Sequence, residues 1–237
     1  MNVDSWQDFW TEQRVFSDDF LGWNVDYFLR QSEGVLGIRP ADRVLDIGCG
    51  PGYLTSALAP RVREICALDT AADYVDACRR RVAAMHNAFV FRLGDDYTDF
   101  SMLGDRAFDV VICLGVIQYY RTKDDLRKLI AGVGEIAAPG ARFLIADIPV
   151  AASMVKDTWS LLRTAWREGM LLETLRFICK AGLGSYSTTR KKLGLLTYSA
   201  VELKAAADGL CESCEVLAER LNITGSRVSM LIRFGGR

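Results

Sequence analysis

Histidine is nearly missing from this chain: His86 is the single one in 237 residues. It follows a predicted helix and lies away from the predicted strand ends, so it reads as a surface residue and no imidazole base is in evidence. An excess of either charge is also missing. With 29 basic and 30 acidic residues the net charge is −1, and the pI near 5.9 gives no electrostatic footprint for nucleic acid. No uninterrupted apolar run reaches the length of a membrane span. The N-terminus, MNVDSWQDFW, is acidic and aromatic, without the basic-then-apolar order of a signal peptide. A cytoplasmic protein with neither a nucleic-acid nor a membrane partner is expected. Paired cysteines are lacking too. The seven are odd in number and scattered, and Cys211 and Cys214 form a lone C-x-x-C with no nearby histidine. A zinc site needs more ligands than that, so structural thiols and no metal centre are expected. No internal repeat or low-complexity tract is visible.

What is present begins with Val44 to Gly52, VLDIGCGPG. A short apolar run carries one acid, Asp46, and empties into glycines at 48, 50 and 52. The run predicts a buried parallel strand, and YLTSALA after Gly52 predicts a helix start. Glycine is needed where backbone turns tightly or a ligand lies against it. Strand, glycine turn and helix N-terminus together make a nucleotide-sized cradle. A dinucleotide site calls for G-x-G-x-x-G, but here the third glycine comes one residue early and Tyr53 takes the dinucleotide position. Asp46 would repel a pyrophosphate and suits a ligand bearing an ammonium group.

D-x-G-x-G-x-G, with these residues, resembles motif I of the class I S-adenosylmethionine-dependent methyltransferases. The resemblance covers residues 40–149 by motif and 199–234 by topology alone. It implies an α/β fold with a Rossmann-like seven-stranded methyltransferase sheet and a helical cap. The cofactor it implies is S-adenosyl-L-methionine, held at Asp46, Gly48, Cys49, Gly50, Gly52, Asp69, Thr70, Asp95, Asp96 and Leu114. Asp69 ends the second strand, where a carboxylate can accept both ribose hydroxyls; it can equally cap the helix starting near Ala71. Asp95, or its neighbour Asp96, stands where the family places an acid for the adenine amino group; the other reading is a surface turn with two solvated carboxylates.

From Arg43 to Pro149 strand and helix alternate regularly. Strands are predicted at 43–47, 64–68, 89–93, 108–114 and 141–147, and helices near 53–59, 71–85 and 123–137, which implies a parallel sheet covered on both faces. Pro139-Gly140 signals a turn before the fifth strand. Apolar spacing predicts two helices within 3–36 and a helix over 153–183, carrying Val155, Trp159, Leu162, Trp166 and Met170. A polar, basic loop is expected at 184–194, then a helix at 199–208, a strand near 213–219, a turn at 222–226 and a final strand at 228–234, antiparallel through a hairpin. The chain divides into an N-terminal helical lid (1–38), a cofactor-binding core (39–150), a helical cap insertion with the basic loop (151–197) and a C-terminal part of the core sheet (198–237). The 153–183 face packs on the core or makes a homodimer contact; its acids offset its bases, against a lipid-binding helix.

After the fourth strand the chain reads CLGVIQYY, from Cys113 to Tyr120. Enzymes that methylate bases or amide nitrogens usually carry Asn, Asp or Ser before Pro-Pro and an aromatic here, and this chain does not. The loop looks more like that of small-molecule methyltransferases. Tyr119, Tyr120 and Asp147 are the candidate catalytic residues. The tyrosines contact ligand or pack against the lid; Asp147 is a base, a site for a substrate cation, or a turn acid before Pro149. Arg190, Lys191 and Lys192 form the densest positive cluster, which binds an acceptor carboxylate or phosphate or is simply solvated. Because methyl transfer from a sulfonium is an in-line displacement, positioning supplies roughly 7–11 kcal/mol. A base, worth about 10²–10⁴-fold, is dispensable for an ionised nucleophile. O-methylation of a small acidic metabolite is the expected reaction; N- or C-methylation and a non-catalytic binding partner are the alternatives.

Overall fold

Alternate residues of the central strands face opposite layers, and this two-residue period builds the molecule. The computed structural model describes residues 4–12, 17–150, 154–217 and 220–236. Seven strands form one sheet: β1 (Arg43–Ile47), β2 (Glu64–Asp69), β3 (Ala88–Arg92), β4 (Phe108–Leu114), β5 (Ala137–Pro149), β6 (Ser213–Leu217) and β7 (Arg227–Arg233). Their order is β3-β2-β1-β4-β5-β7-β6. The first five pair in parallel, and β7 runs antiparallel to both of its neighbours. Leu45, Ile47, Val111 and Cys113 point into one apolar layer. Val44, Val110 and Ile112 point into the other. Burial on both faces is what a parallel sheet under helices requires.

The first layer is closed by α5 (Asp124–Ile136), whose Leu126, Leu129, Ile130 and Val133 recur at helical spacing and are fully buried. The second is closed by α2 (Asp18–Leu36) and by α3 (Tyr53–Leu58). Ser17 caps α2 by accepting from the Phe20 amide, and Gly37, in the left-handed region at φ 51°, ends it. β1 leads outward to β2 and β3 on one side while β4 and β5 extend the sheet on the other. The strand order therefore reverses between β1 and β4, and the crevice above their carboxyl ends is where such sheets take ligands.

Over that crevice lie α1 (Trp6–Glu12), α6 (Met154–Arg167), α7 (Leu171–Leu183) and α8 (Ser185–Leu193), while α4 (Ala72–Arg81) follows β2 and α9 (Ala200–Ala207) precedes β6. Three expectations need correction. The 153–183 segment is two helices, because the chain turns at Gly169 (φ 74°) and the Met170 amide returns to the Ala165 carbonyl at 2.8 Å. The basic 184–194 segment is α8, a helix bounded by Gly184 and Gly194. Pro139-Gly140 falls inside β5, where a register shift opposite Phe108–Val110 takes up the left-handed Gly140 (φ 75°) as a bulge. The Val155 side chain and residues 151–153 and 218–219 lie outside the described residues. On the far side of α6 and α7, Trp159 (72% exposed), Trp166 (71%) and Leu172 (61%) stay uncovered.

Candidate functional site

The turn after β1 has all three motif glycines in the left-handed region, at φ 74°, 52° and 84° for Gly48, Gly50 and Gly52. Their surroundings differ. A Cβ on Gly48 would stand 2.3 Å from a Val116 methyl, and one on Gly52 would stand 2.6 Å from the Cys78 sulfur. Gly50 has nothing within 4 Å: two glycines let protein elements close in, and the third leaves room. The Gly48 and Cys49 amides donate to the Leu68 carbonyl at 2.7 and 2.9 Å, tying the turn to β2. Asp69, at the end of β2, completes the tie with Oδ2 accepting from the Gly50 amide at 2.8 Å. Its Oδ1 accepts from the Ala71 amide at 2.9 Å, so Asp69 also stabilises the approach to α4, whose N-cap is Ala71 itself. Burial raises the Asp69 pKa, against the pull of these backbone donors.

Asp46 is 1% exposed, with Oδ2 accepting from the Thr55 hydroxyl at 2.7 Å. Burial pushes its pKa up to about 7, against that hydrogen bond. Asp46, Gly48, Cys49, Gly50, Asp69, Thr70 and Leu114 all border one cavity of about 640 Å³. Gly52 supports it from behind, against Cys78. Asp95 and Asp96 are not in its wall. Both are exposed, and Asp96 turns back to accept from the Thr98 amide (3.0 Å) and hydroxyl (2.7 Å). At this edge of the cavity the wall is Leu93 and Tyr97, and the Tyr97 hydroxyl donates to Asp125 at 2.7 Å.

The same cavity continues past Gly115 beneath the cap helices. Tyr119 reaches it with its hydroxyl 3.4 Å from that of Tyr186, on α8. Tyr120 stacks near Tyr97, with ring centroids 4.6 Å apart. Burial raises the pKa of both phenols, which stay neutral. Asp147 sits where the β5–β7 register shifts between Ile145 and Ile148, with φ at 61°, the only described non-glycine residue at positive φ. The bulge aims its carboxylate at the cavity, close over Gly115. Arg227, from the start of β7, stands with Nε 3.9 Å from Asp147 Oδ1 and 4.0 Å from Asp157 Oδ2. Burial raises the Asp147 pKa, partly offset by Arg227. Arg190 and Lys191, on α8, also line the cavity, whereas Lys192 pairs with Asp4 at 2.9 Å on the outer surface.

Sequence reasoning missed Gln118, Asp157, Tyr186 and Arg227. The first stands in the inspected CLGVIQYY loop and carried a signal by position. The other three become neighbours only through the bulge in β5 and the fold of the cap, and nothing in local spacing marks them.

Comparison with known proteins places this geometry. A family model described as "Methyltransferase domain" matches residues 44–140, the stretch from the glycine cradle to the start of β5. Chondramide synthase of Chondromyces crocatus is 31% identical over 151 residues, which are 62% of this chain and 4% of that protein. The malonyl-[acyl-carrier protein] O-methyltransferase of Serratia marcescens is 30% identical over 131 residues, 54% of this chain and 48% of the other. The chain thus spans less than half the length of these relatives. The solved N-methyltransferase NodS of Bradyrhizobium japonicum WM9, in complex with S-adenosyl-L-homocysteine, superposes with a TM-score of 0.60 over 94% of this chain and 96% of its own, at 15% identity. That likeness concerns the fold. The family match falls on the cradle itself, so residues 44–140 carry a methyltransferase domain, and the whole chain has the fold of the solved methyltransferase. The cradle fits S-adenosyl-L-methionine: open space at Gly50 and a carboxylate at Asp69 face the cavity together.

Proposed function

We propose that this protein methylates a small metabolite bearing an ionised acidic group, with oxygen as the acceptor atom. The observation that carries the reading is the continuity of one cavity from the glycine cradle to Arg190 and Lys191. Among the described residues neither cation has a hydrogen-bond or ion-pair partner, unlike Lys192, so both are available to an anion. The relatives described above, a malonyl-[acyl-carrier protein] O-methyltransferase and a chondramide synthase, support a metabolite-type acceptor.

When bound, S-adenosyl-L-methionine supplies a sulfonium methyl that an acceptor takes by in-line displacement. Asp46, Gly48, Cys49, Gly50, Gly52, Asp69, Thr70 and Leu114 hold it, with Asp95 or Asp96 reaching the adenine only if their loop closes inward. Tyr119, Tyr120 and Asp147 fix the acceptor beside Gly115. The N-terminal segment 1–38 and the cap 151–197 act as the lid: Trp6 and Trp10 lie on Tyr119 with ring centroids 4.9 and 5.2 Å away. They exclude water and hold the acceptor in place. Restricting two reactants in this way is worth roughly 7–11 kcal/mol, enough without a general base when the nucleophile arrives ionised.

The test is transfer of labelled methyl to a panel of carboxylic acids and phenols, followed by mass spectrometry. Methyl esters or ethers are expected, with KM raised at least tenfold in the Arg190→Ala/Lys191→Ala double variant. Tight S-adenosyl-L-homocysteine binding without turnover on any panel member would replace the reading with a non-catalytic binding partner.

A further inference from the structure

The floor of the acceptor end has too many hydrogen-bond acceptors for the donors around it. Gln118 is 5% exposed, lines the cavity, and gives its amide N–H to the Gly115 carbonyl at 2.7 Å, which leaves its Oε1 buried and without a partner. Asp157 Oδ1 is likewise buried and unpartnered. The Asp147 carboxylate has no hydrogen bond at all among the described residues, and its nearest cation is Arg227 Nε at 3.9 Å. That nitrogen is itself unpartnered, because 3.9 and 4.0 Å exceed hydrogen-bond length. One guanidinium between two carboxylates leaves the group with a net charge of −1 when both are ionised. A carboxylate accepts about four hydrogen bonds and the Gln118 oxygen about two, so most of the acceptor capacity facing the cavity is unused. Acceptors left buried and unmet, as Gln118 Oε1 and Asp157 Oδ1 are, destabilise the site until a donor reaches them.

A ligand that repairs this must bring several donors and a positive charge. An anion does not, since Arg227 is already flanked by Asp147 and Asp157. The rings of Tyr119 and Tyr186 line the same space, and their faces also favour a cation. The α8 part of the lining, in contrast, carries the two unpaired cations Arg190 and Lys191. The lining therefore carries two separate charged groups, a net negative one around Asp147, Asp157 and Arg227 and a positive one on α8.

We propose that the acceptor is bipolar: a protonated amine seats against Asp147, Asp157 and Gln118 while its acidic group meets Arg190 and Lys191. This rests on the methyltransferase reading above and names the substrate class, an amine-bearing acid with an apolar or aromatic body. Its second charge distinguishes it from a simple carboxylic acid or phenol.

Three probes sharing one ring test it by calorimetric titration into protein saturated with S-adenosyl-L-homocysteine: 3-phenylpropionate, 2-phenylethylammonium and L-phenylalanine. Expected is saturable binding of 2-phenylethylammonium that weakens at least tenfold in Asp157→Asn, and L-phenylalanine binding at least tenfold tighter than 3-phenylpropionate. Asp147→Asn is the second variant, since Asn tolerates the left-handed backbone that Asp147 occupies. Unchanged S-adenosyl-L-homocysteine affinity in each variant verifies the fold. Absence of 2-phenylethylammonium binding, or binding indifferent to both variants, overturns the proposal, as does 3-phenylpropionate binding as tightly as L-phenylalanine. Failure of the underlying anion reading looks different: 3-phenylpropionate would ignore Arg190→Ala/Lys191→Ala while the amine probe behaved as expected.

Discussion

The amide of Gly50 donates to Asp69 Oδ2 across 2.8 Å, closing the β1 turn onto the end of β2. One carboxylate thus shapes the glycine cradle and stands in the wall where a ribose would lie. Replacing Asp69 removes both contributions together. Asp69→Ala is expected to weaken S-adenosyl-L-homocysteine binding by about 1.5–3 kcal/mol, the cost of losing a charged hydrogen-bonding partner. Asp69→Asn, which keeps an oxygen for Gly50, should lose less. Titration calorimetry decides, and equal affinity in the Ala variant and the parent rules out the ribose assignment.

Gly50→Ala and Gly52→Ala separate binding from folding. Both force a Cβ into the left-handed region, at about 1–2 kcal/mol. At Gly50 the new methyl enters open cavity, so the protein folds and cofactor affinity drops. At Gly52 it meets the Cys78 sulfur 2.6 Å away and its backbone at 3.0 Å, so the loss falls on stability. Thermal melts beside calorimetry should show the first variant failing mainly in Kd and the second mainly in Tm.

Asp46 makes stability depend on pH in an unusual direction. Its folded pKa is raised, from 3.8 to about 7, by burial. Between those values the native state holds a proton that the unfolded chain has released, so stability falls as pH rises from about 4 to 7 and then levels off. The contribution is on the order of a few kcal/mol at most, with Thr55 moderating it. Asp46→Asn should flatten this slope while keeping an acceptor for the Thr55 hydroxyl. Urea midpoints at pH 4.5, 6 and 7.5 check the sign; a parent whose stability rises over this window refutes it.

Asp95→Ala should change cofactor affinity by less than about 0.5 kcal/mol, as for exposed positions away from special features. The same holds for Asp96→Ala, apart from its hydrogen bonds to Thr98. A loss comparable to that of Asp69→Ala would show that this loop closes over the adenine.

The cradle was legible because its requirement is local: three alternate glycines after an apolar run with one acid have few backbone solutions. The strands of the core were legible for the same reason, since Val110–Cys113 is apolar throughout and Val44–Ile47 is apolar but for Asp46. The cap was less so. Ser185–Leu193 has polar composition and buries only Thr189 fully, so no periodic stripe announced its helix. Trp159 and Trp166 mark an amphipathic helix correctly, yet their faces point away from the core. Asp157, counted in sequence as offsetting nearby lysine and arginine, points inward to Arg227. Its role depends on a β-bulge in a strand eight residues or more away, and no spacing rule records that.

The cavity draws on both ends of the chain. Trp6 is anchored by donating its indole N–H to the Gly194 carbonyl at 2.9 Å, across 188 positions, and Arg227 arrives on the last strand. A growing chain that has emerged only as far as β5 owns the glycine cradle but neither the roof nor the far wall. Contacts of such long sequence separation form late in folding. Ligand occupancy then depends on β7 as well as on β1, and a bound ligand stabilises the fold that contains both over every intermediate that lacks one.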